Sequence, residues 1–337
     1  SIAVLNILKS GDHILAASTI YGGSFTLFTT TFKDLGIEVT LFDPDIEKEE
    51  ILKLAKPNTK LIFGETIGNP LVNVLDFEKF SAVAKELDIP FMVDNTFATP
   101  FLCKPLELGA NIVLHSTSKY IDGHASCLGG IIVDGGNFNW DNGKFPCLVE
   151  PDESYHGVSY VKNFGASAFI VKARANVMRN MGMTPSPFNS FLTNLGAETL
   201  HLRMERHCEN ALKMAEYLKN HEMCSWVKYP GLEGDKYHDL AKKYLPKGAS
   251  GVLTFGVKGG RDAGRKFINA LKLVALVTHV SDVRSCVLQP ASTTHRQLSD
   301  EELISCGVSP DMIRFSVGIE NVDDLIADFE QAFQCAK

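Results

Sequence analysis

Between residues 11 and 133 the chain alternates short, continuously apolar runs with helix-length amphipathic stretches. The runs fall at 13–17, 39–42, 61–63, 90–93, 111–114 and 130–133, and segments such as 76–87 lie between them. A strand that is apolar at successive positions has both faces covered, so this pattern predicts a buried, largely parallel sheet with helices packed on it. The loops that follow such strands sit at their carboxyl ends, where open α/β sheets hold their ligands.

Residues 135–165 are rich in Gly, Asn, Asp, Pro and Tyr without a clean period and read as a long surface excursion over the site. A helix is expected over 166–181, broken by Thr184-Pro185-Ser186-Pro187. The next helix, 198–220, carries Leu200, Met204, Cys208, Ala211, Ala215 and Leu218 on one face and suits a connector between two domains. Candidate strands at 226–229, 252–257 and 313–317 then alternate with helices at 260–271 and 322–333. They suggest a smaller α/β domain, with a large domain over 1–203 and a small one over 204–337. Residues 1–12 read as the second half of an apolar helix closed by Gly11, as though an earlier segment preceded it.

Composition narrows the function classes. With 45% hydrophobic and 22% charged residues the chain is an ordinary globular one, and a net charge of -7 without long single-sign blocks offers no footprint for nucleic acid or an anionic membrane. The expected partner is a small molecule. Eight scattered cysteines without a C-x-x-C pair read as reduced thiols, and no apolar run reaches the roughly 20 residues that span a bilayer, which points to the cytoplasm. No H-E-x-x-H or Gly-rich nucleotide loop is present, so no metal site is expected. His207 and His295 read as helix-surface and loop residues.

The stretch that carries chemistry is Val93-Asp94-Asn95-Thr96 after one apolar run and His115-Ser116-Thr117-Ser118-Lys119-Tyr120 after another. Alone, the Asp reads as a cap and the Lys as a solvated charge. Together, one helix-plus-strand unit apart, they emerge on one sheet edge and can face one ligand. A carboxylate there can keep the ring nitrogen of pyridoxal phosphate protonated, and a lysine with a lowered pKa can carry its aldehyde as a Schiff base.

Further runs extend the pattern: Glu65-Thr66-Ile67-Gly68-Asn69-Pro70, Val93 to Pro100, Ser116 to Tyr120, and Gly123-His124. In order and spacing they resemble the Cys/Met-metabolism family of fold-type-I pyridoxal-phosphate enzymes. The resemblance covers essentially the whole chain and implies a mainly parallel seven-stranded sheet domain with a smaller C-terminal domain. It implies Lys119 as the Schiff-base lysine, Asp94 on the pyridine nitrogen, Asn69 on the phenolic oxygen and Ser116 and Ser118 on the phosphate, with Thr96 among the cofactor contacts. Tyr21 matches the tyrosine that stacks on the cofactor ring and serves as acid or base. Arg314, in Ile313-Arg314-Phe315-Ser316-Val317-Gly318, matches the arginine of the substrate carboxylate; read without the family it is a strand-edge ion pair with Glu320.

The blocks 278–285, 289–298, 186–189 and 202–207, with the long segment around 138–160, look most like the O-acetylhomoserine sulfhydrylase branch. That implies replacement of the γ-substituent of O-acetylhomoserine by sulfide or a thiol, in a homodimer or homotetramer with shared active sites. Elimination, as in methionine or cystathionine γ-lyases, and a catalytically silent subunit of the same fold are the competing expectations. His279 stands where relatives tend to carry Ser or Asn near the substrate carboxylate, and reads equally as a packed histidine or a substrate contact. The family's N-terminal arm and first phosphate-binding turn are not in this sequence.

Overall fold

The computed structural model describes residues 1–293, 299–301 and 308–336. The first sheet has six strands, β1 (His13–Ala17), β2 (Glu38–Phe42), β3 (Thr59–Glu65), β4 (Phe91–Asp94), β5 (Ile112–Ser116) and β6 (Gly130–Asp134), in the order β2-β1-β3-β4-β5-β6. β1 to β5 are parallel and β6 is antiparallel to β5. Each of the six apolar runs has become a strand; the seventh strand, implied by resemblance alone, is not found among the described residues.

The central strands form because both of their faces are covered. Ile14, Leu15, Leu61, Ile62, Phe91, Met92 and Val93 are buried, and Phe77 and Phe80 of the helix Phe77–Leu87 pack against Phe91. Burying such a side chain stabilises by about 1.5–3 kcal/mol relative to leaving it in water. Asp76 caps this helix by accepting from the Lys79 N–H, and Asp88 ends it in the left-handed region.

The second sheet has the order β7-β8-β11-β10-β9, from β7 (Cys224–Lys228), β8 (Val252–Val257), β9 (Ala275–Leu276), β10 (Cys286–Leu288) and β11 (Met312–Ser316). Its pairings are antiparallel except β9 with β10. Helices Gly260–Ala270 and Val322–Ala336 cover it through Phe267, Phe329 and Phe333. The helix Leu200–Asn220 buries Met204, Cys208, Ala211, Ala215 and Leu218 as its periodicity predicts, and the expected division after residue 203 falls inside it. Among the described residues no helix is long and apolar enough to cross a membrane.

Three expectations are corrected. The first helix covers only Ile2–Leu5, and Gly11 instead lies in the turn before β1 at φ 88. Residues 138–145, the first part of the stretch expected over the site, lie elsewhere: Trp140 and Phe145 are buried, Trp140 stacks on Phe169, and Asn142 and Lys144 bond the carbonyls of Asp88 and Leu87, before the start of β4. That is the amino end of the strands, opposite Asp94; aromatic residues without a period have formed a local core. His207 is fully buried, because it shares the inward stripe with Met204 and Ala211, and its Nδ1 lies 2.7 Å from the Val317 carbonyl. His295 lies outside the described residues.

Candidate active site

The carboxyl ends of β3, β4 and β5 bring three groups to one edge. Asp94 closes β4, in register with Glu65 of β3 and Leu114 of β5. Asp94 Oδ1 accepts from the Thr96 N–H at 2.9 Å and from the Thr96 hydroxyl at 2.5 Å, and that hydroxyl accepts from the Ser116 N–H at 2.8 Å. Thr96, expected among the cofactor contacts, therefore has its hydroxyl engaged within the chain, where it ties β4 to β5. Asp94 and Ser116 line one cleft of about 1010 Å³.

Burial raises the Asp94 carboxyl above its ordinary range, against the two Thr96 hydrogen bonds. Glu65 is pushed well up too, first by burial and then by the charge of Asp94. Its Oε1 accepts from the Tyr21 N–H at 2.7 Å, so this carboxyl anchors the segment that carries Tyr21, whose ring is half exposed. Two buried acids, with no cation paired to either among the described residues, form a site that favours a positive group. A protonated ring nitrogen meets that demand, so the residues fit pyridoxal phosphate.

Lys119 follows β5 after Thr117 and Ser118. Its backbone is held by the Gly123 N–H, which donates to the Lys119 carbonyl at 2.7 Å, and by Arg203, which donates to the carbonyls of Tyr120 (2.7 Å), Ile121 (3.2 Å) and Gly196 (2.6 Å). Gly123 has φ 72, and a Cβ there would overlap the Arg203 guanidinium. The Lys119 side chain is half-buried, and burial followed by the Arg314 charge lowers its pKa. Its Nζ stands 3.2 Å from His279 Nδ1. The Ser118 hydroxyl pairs with Gly129, accepting from its N–H at 2.9 Å, and lines a separate cavity of about 360 Å³ with His279, Cys127 and Asn189.

Arg314 comes from β11 of the other sheet. Nη1 donates to Asn69 Oδ1 at 3.3 Å, Nη2 to the carbonyls of Thr278 (3.0 Å) and His279 (3.2 Å), and the buried Nε has no partner among the described residues. The pairing with Glu320 does not form: that carboxylate accepts from the N–H and hydroxyl of Ser285. Among the described residues Arg314 has no carboxylate within ion-pair distance, and burial lowers its pKa. A buried guanidinium without an anion is costly, and it is a ready receptor for one.

Sequence reasoning missed two residues. Glu65 stood in a quoted motif, and its strand-end place beside Asp94 was the available signal. Arg203, at the start of an amphipathic helix, gave no signal that its side chain points inward to backbone carbonyls.

Comparison with known proteins adds a family. Residues 1–334 match the model for Cys/Met metabolism PLP-dependent enzymes. The chain is 45% identical to the O-acetyl-L-homoserine sulfhydrylase of Leptospira meyeri and 46% to the homocysteine synthase of Schizosaccharomyces pombe, in each case over 99% of this chain and 77% or 78% of the relative. A Campylobacter jejuni structure assigned as an O-acetylhomoserine (thiol)-lyase superposes with a TM-score of 0.94 at 38% identity, over 99% of this chain and 79% of that one. It carries N′-pyridoxyl-lysine-5′-monophosphate in place of a lysine.

Proposed function

From the premise that the chain belongs to the Cys/Met-metabolism family of PLP-dependent enzymes, with a fold-type-I architecture, we propose that it replaces the acetoxy group of O-acetyl-L-homoserine with sulfide or a thiol. The products are homocysteine, or its S-substituted analogue, and acetate. The observation that carries this reading is the buried Arg314, without a carboxylate partner among the described residues, beside a lysine whose pKa is lowered. An amino acid supplies the missing carboxylate to the one, and its Cα proton to the other.

When bound, the cofactor supplies an electron-withdrawing ring that makes the Cα and Cβ protons removable. We assign Lys119 to carry its aldehyde and, once free, to move the Cα proton as general base. Asp94 holds the ring nitrogen's proton. Asn69 has its carbonyl oxygen on Arg314, which leaves its amide N–H groups for the phenolic oxygen. Ser116 faces the cleft and is assigned with Ser118 to the phosphate. Thr96 orients Asp94, Tyr21 covers the ring and exchanges a proton at the leaving group, and Arg314 takes the substrate carboxylate, with His279 lining the substrate site beside Lys119.

We assign residues 1–203 to the cofactor-binding domain and 204–337 to the small one, in a cytoplasmic homodimer or homotetramer with shared active sites. Leu128, Phe188, Phe191 and Leu202, 56–80% exposed, support such an assembly.

The test is an absorbance spectrum of the protein with pyridoxal phosphate, followed by O-acetylhomoserine plus sulfide. Homocysteine is the expected product; keto acid and ammonia in its place would assign elimination instead. Lys119→Ala is expected to abolish the visible lysine–cofactor band, and a variant that kept the band and turned over would overturn the assignment.

A further inference from the structure

Lys119 has no carboxylate within ion-pair distance among the described residues, and the polar atom facing its amine is Nδ1 of His279, at 3.2 Å. We propose that His279 is a positioning residue for Lys119, its neutral ring accepting a hydrogen bond from the amine whenever that amine is free, so that the nitrogen lone pair stays open toward the substrate. The inference deepens the reading of Lys119 as the cofactor-bearing base and rests on it.

The histidine is fixed by its backbone. Its carbonyl accepts from Arg314 Nη2 at 3.2 Å and from the Cys286 thiol at 3.3 Å. Two residues on, Ser281 takes φ 68 while fully buried, held by its N–H donating to the Ser316 hydroxyl at 2.8 Å. A β-carbon in the left-handed region is tolerated only where the surroundings impose it. The backbone at 279 is thus held in one place whatever side chain it bears.

The ring's surroundings keep it neutral. Lys119, Arg314 and Arg284 face it as cations, and Asp282 as the anion. The Asp282 carboxylate is itself taken by Arg284, at 3.1 Å from Nε and 3.0 Å from Nη2. The Cys286 thiol is pushed up to about 11 by burial and so carries no charge near neutrality. With Nδ1 as the acceptor the neutral ring carries its proton on Nε2, buried without a partner among the described residues, and a second proton would have to go on Nδ1, against the Lys119 amine. Burial first and the Lys119 charge second lower the ring's pKa accordingly. A neutral imidazole has one acceptor nitrogen, and the one facing an amine N–H is Nδ1.

In the base step the Cα–H bond breaks, its electron pair stays on the substrate, and the proton becomes the third on Nζ. The ammonium so formed keeps one N–H on His279 Nδ1 and gives its new proton back later in the cycle. An acceptor for the charged form favours it, so His279 offsets part of the burial cost that would otherwise keep Lys119 from taking the proton at all.

The test is competitive acetylation of the full chain, without and with pyridoxal phosphate, across about pH 6 to 10, read at Lys119 by mass spectrometry. In His279→Leu the ammonium loses its acceptor, and the fraction of Lys119 present as free amine near pH 8 is expected to rise about fivefold or more. His279→Gln, whose amide oxygen can accept, is expected within about twofold of the parent protein. Superimposable profiles for the Leu variant and the parent overturn the proposal; so does a Gln variant that behaves like Leu, which keeps the test decisive if Leu packs poorly. Protection of Lys119 by pyridoxal phosphate in the parent protein reads out the underlying assignment separately. Its absence would sink the role of Lys119 whatever His279 does.

Discussion

Arg314 reaches from β11 of the second sheet to Asn69 beyond the end of β3 in the first, with Nη1 3.3 Å from Oδ1. The guanidinium therefore couples the two sheets through a neutral amide, with its charge unmatched among the described residues. Replacing it separates two effects that usually travel together. Arg314→Met is expected to raise KM for the amino acid by about 100-fold, from the loss of a charge-assisted carboxylate contact, with a smaller effect on kcat. In the absence of ligands the same variant is expected to be as stable as the parent or more so, because an unpaired buried charge has gone. Steady-state kinetics and denaturant midpoints check the two halves; an unchanged KM would remove Arg314 from the substrate site.

Asp94→Asn should divide stability from cofactor binding in a similar way. A carboxyl raised by burial, as Asp94 and Glu65 both are, binds more protons in the folded chain than in the unfolded one. The sign follows: their contribution is most favourable below the ordinary carboxyl range and is lost as pH rises through the raised values. Cofactor-free Asp94→Asn should therefore lose less stability than the parent between about pH 5 and 8, while its affinity for pyridoxal phosphate falls. Urea midpoints at the two pH values, with and without cofactor, decide it. A steeper pH dependence in the variant would contradict the argument.

Three buried histidines impose the opposite slope. Burial pulls His13, His115 and His207 from 6.5 to about 4. A lowered histidine contributes stability that is present above the unfolded value and lost as pH falls, so the window runs from about 6.5 down to about 4. His207→Gln is expected to take up about one proton fewer on acid unfolding than the parent. Potentiometric titration across the transition measures this, and equal proton uptake would show that His207 is not held neutral.

Gly123→Ala tests the clamp behind Lys119. An alanine at φ 72 would be strained by about 1–2 kcal/mol, and its Cβ would also displace the Arg203 guanidinium from the carbonyls of Tyr120 and Ile121. The expected result is a destabilised protein whose lysine–cofactor band is weakened at saturating cofactor. Wild-type spectra in the variant would mean that the lysine's backbone needs no such support.

The central strands of the first sheet were legible because they are covered on both faces and so read as unbroken apolar runs. Leu61 to Phe63 and Phe91 to Val93 had no other environment available to them. β9 and β10 were not legible: two and three residues long, they are held by pairing with each other and, through β10, with β11, a relation between distant segments. Asp94 and Lys119 were recognisable by type and separation, as strand ends on one edge. His207 was misread because a histidine in an apolar stripe looks polar in sequence, while its buried ring bonds a carbonyl 110 residues away. Trp140 and Phe145 were misplaced for the converse reason, since burial without a period leaves no trace in a helical or strand pattern.

One connection reaches beyond the site. The Arg203 guanidinium that grips the carbonyls after Lys119 also holds the carbonyl of Gly196, near the end of the helix Pro187–Glu198. Along that helix Phe188, Phe191 and Leu195 stand open to solvent. A load on those side chains would press on a lever whose short arm is the backbone after Lys119. The seat of that helix and the backbone after Lys119 are thereby parts of one mechanical linkage, and shifting the first should displace the second.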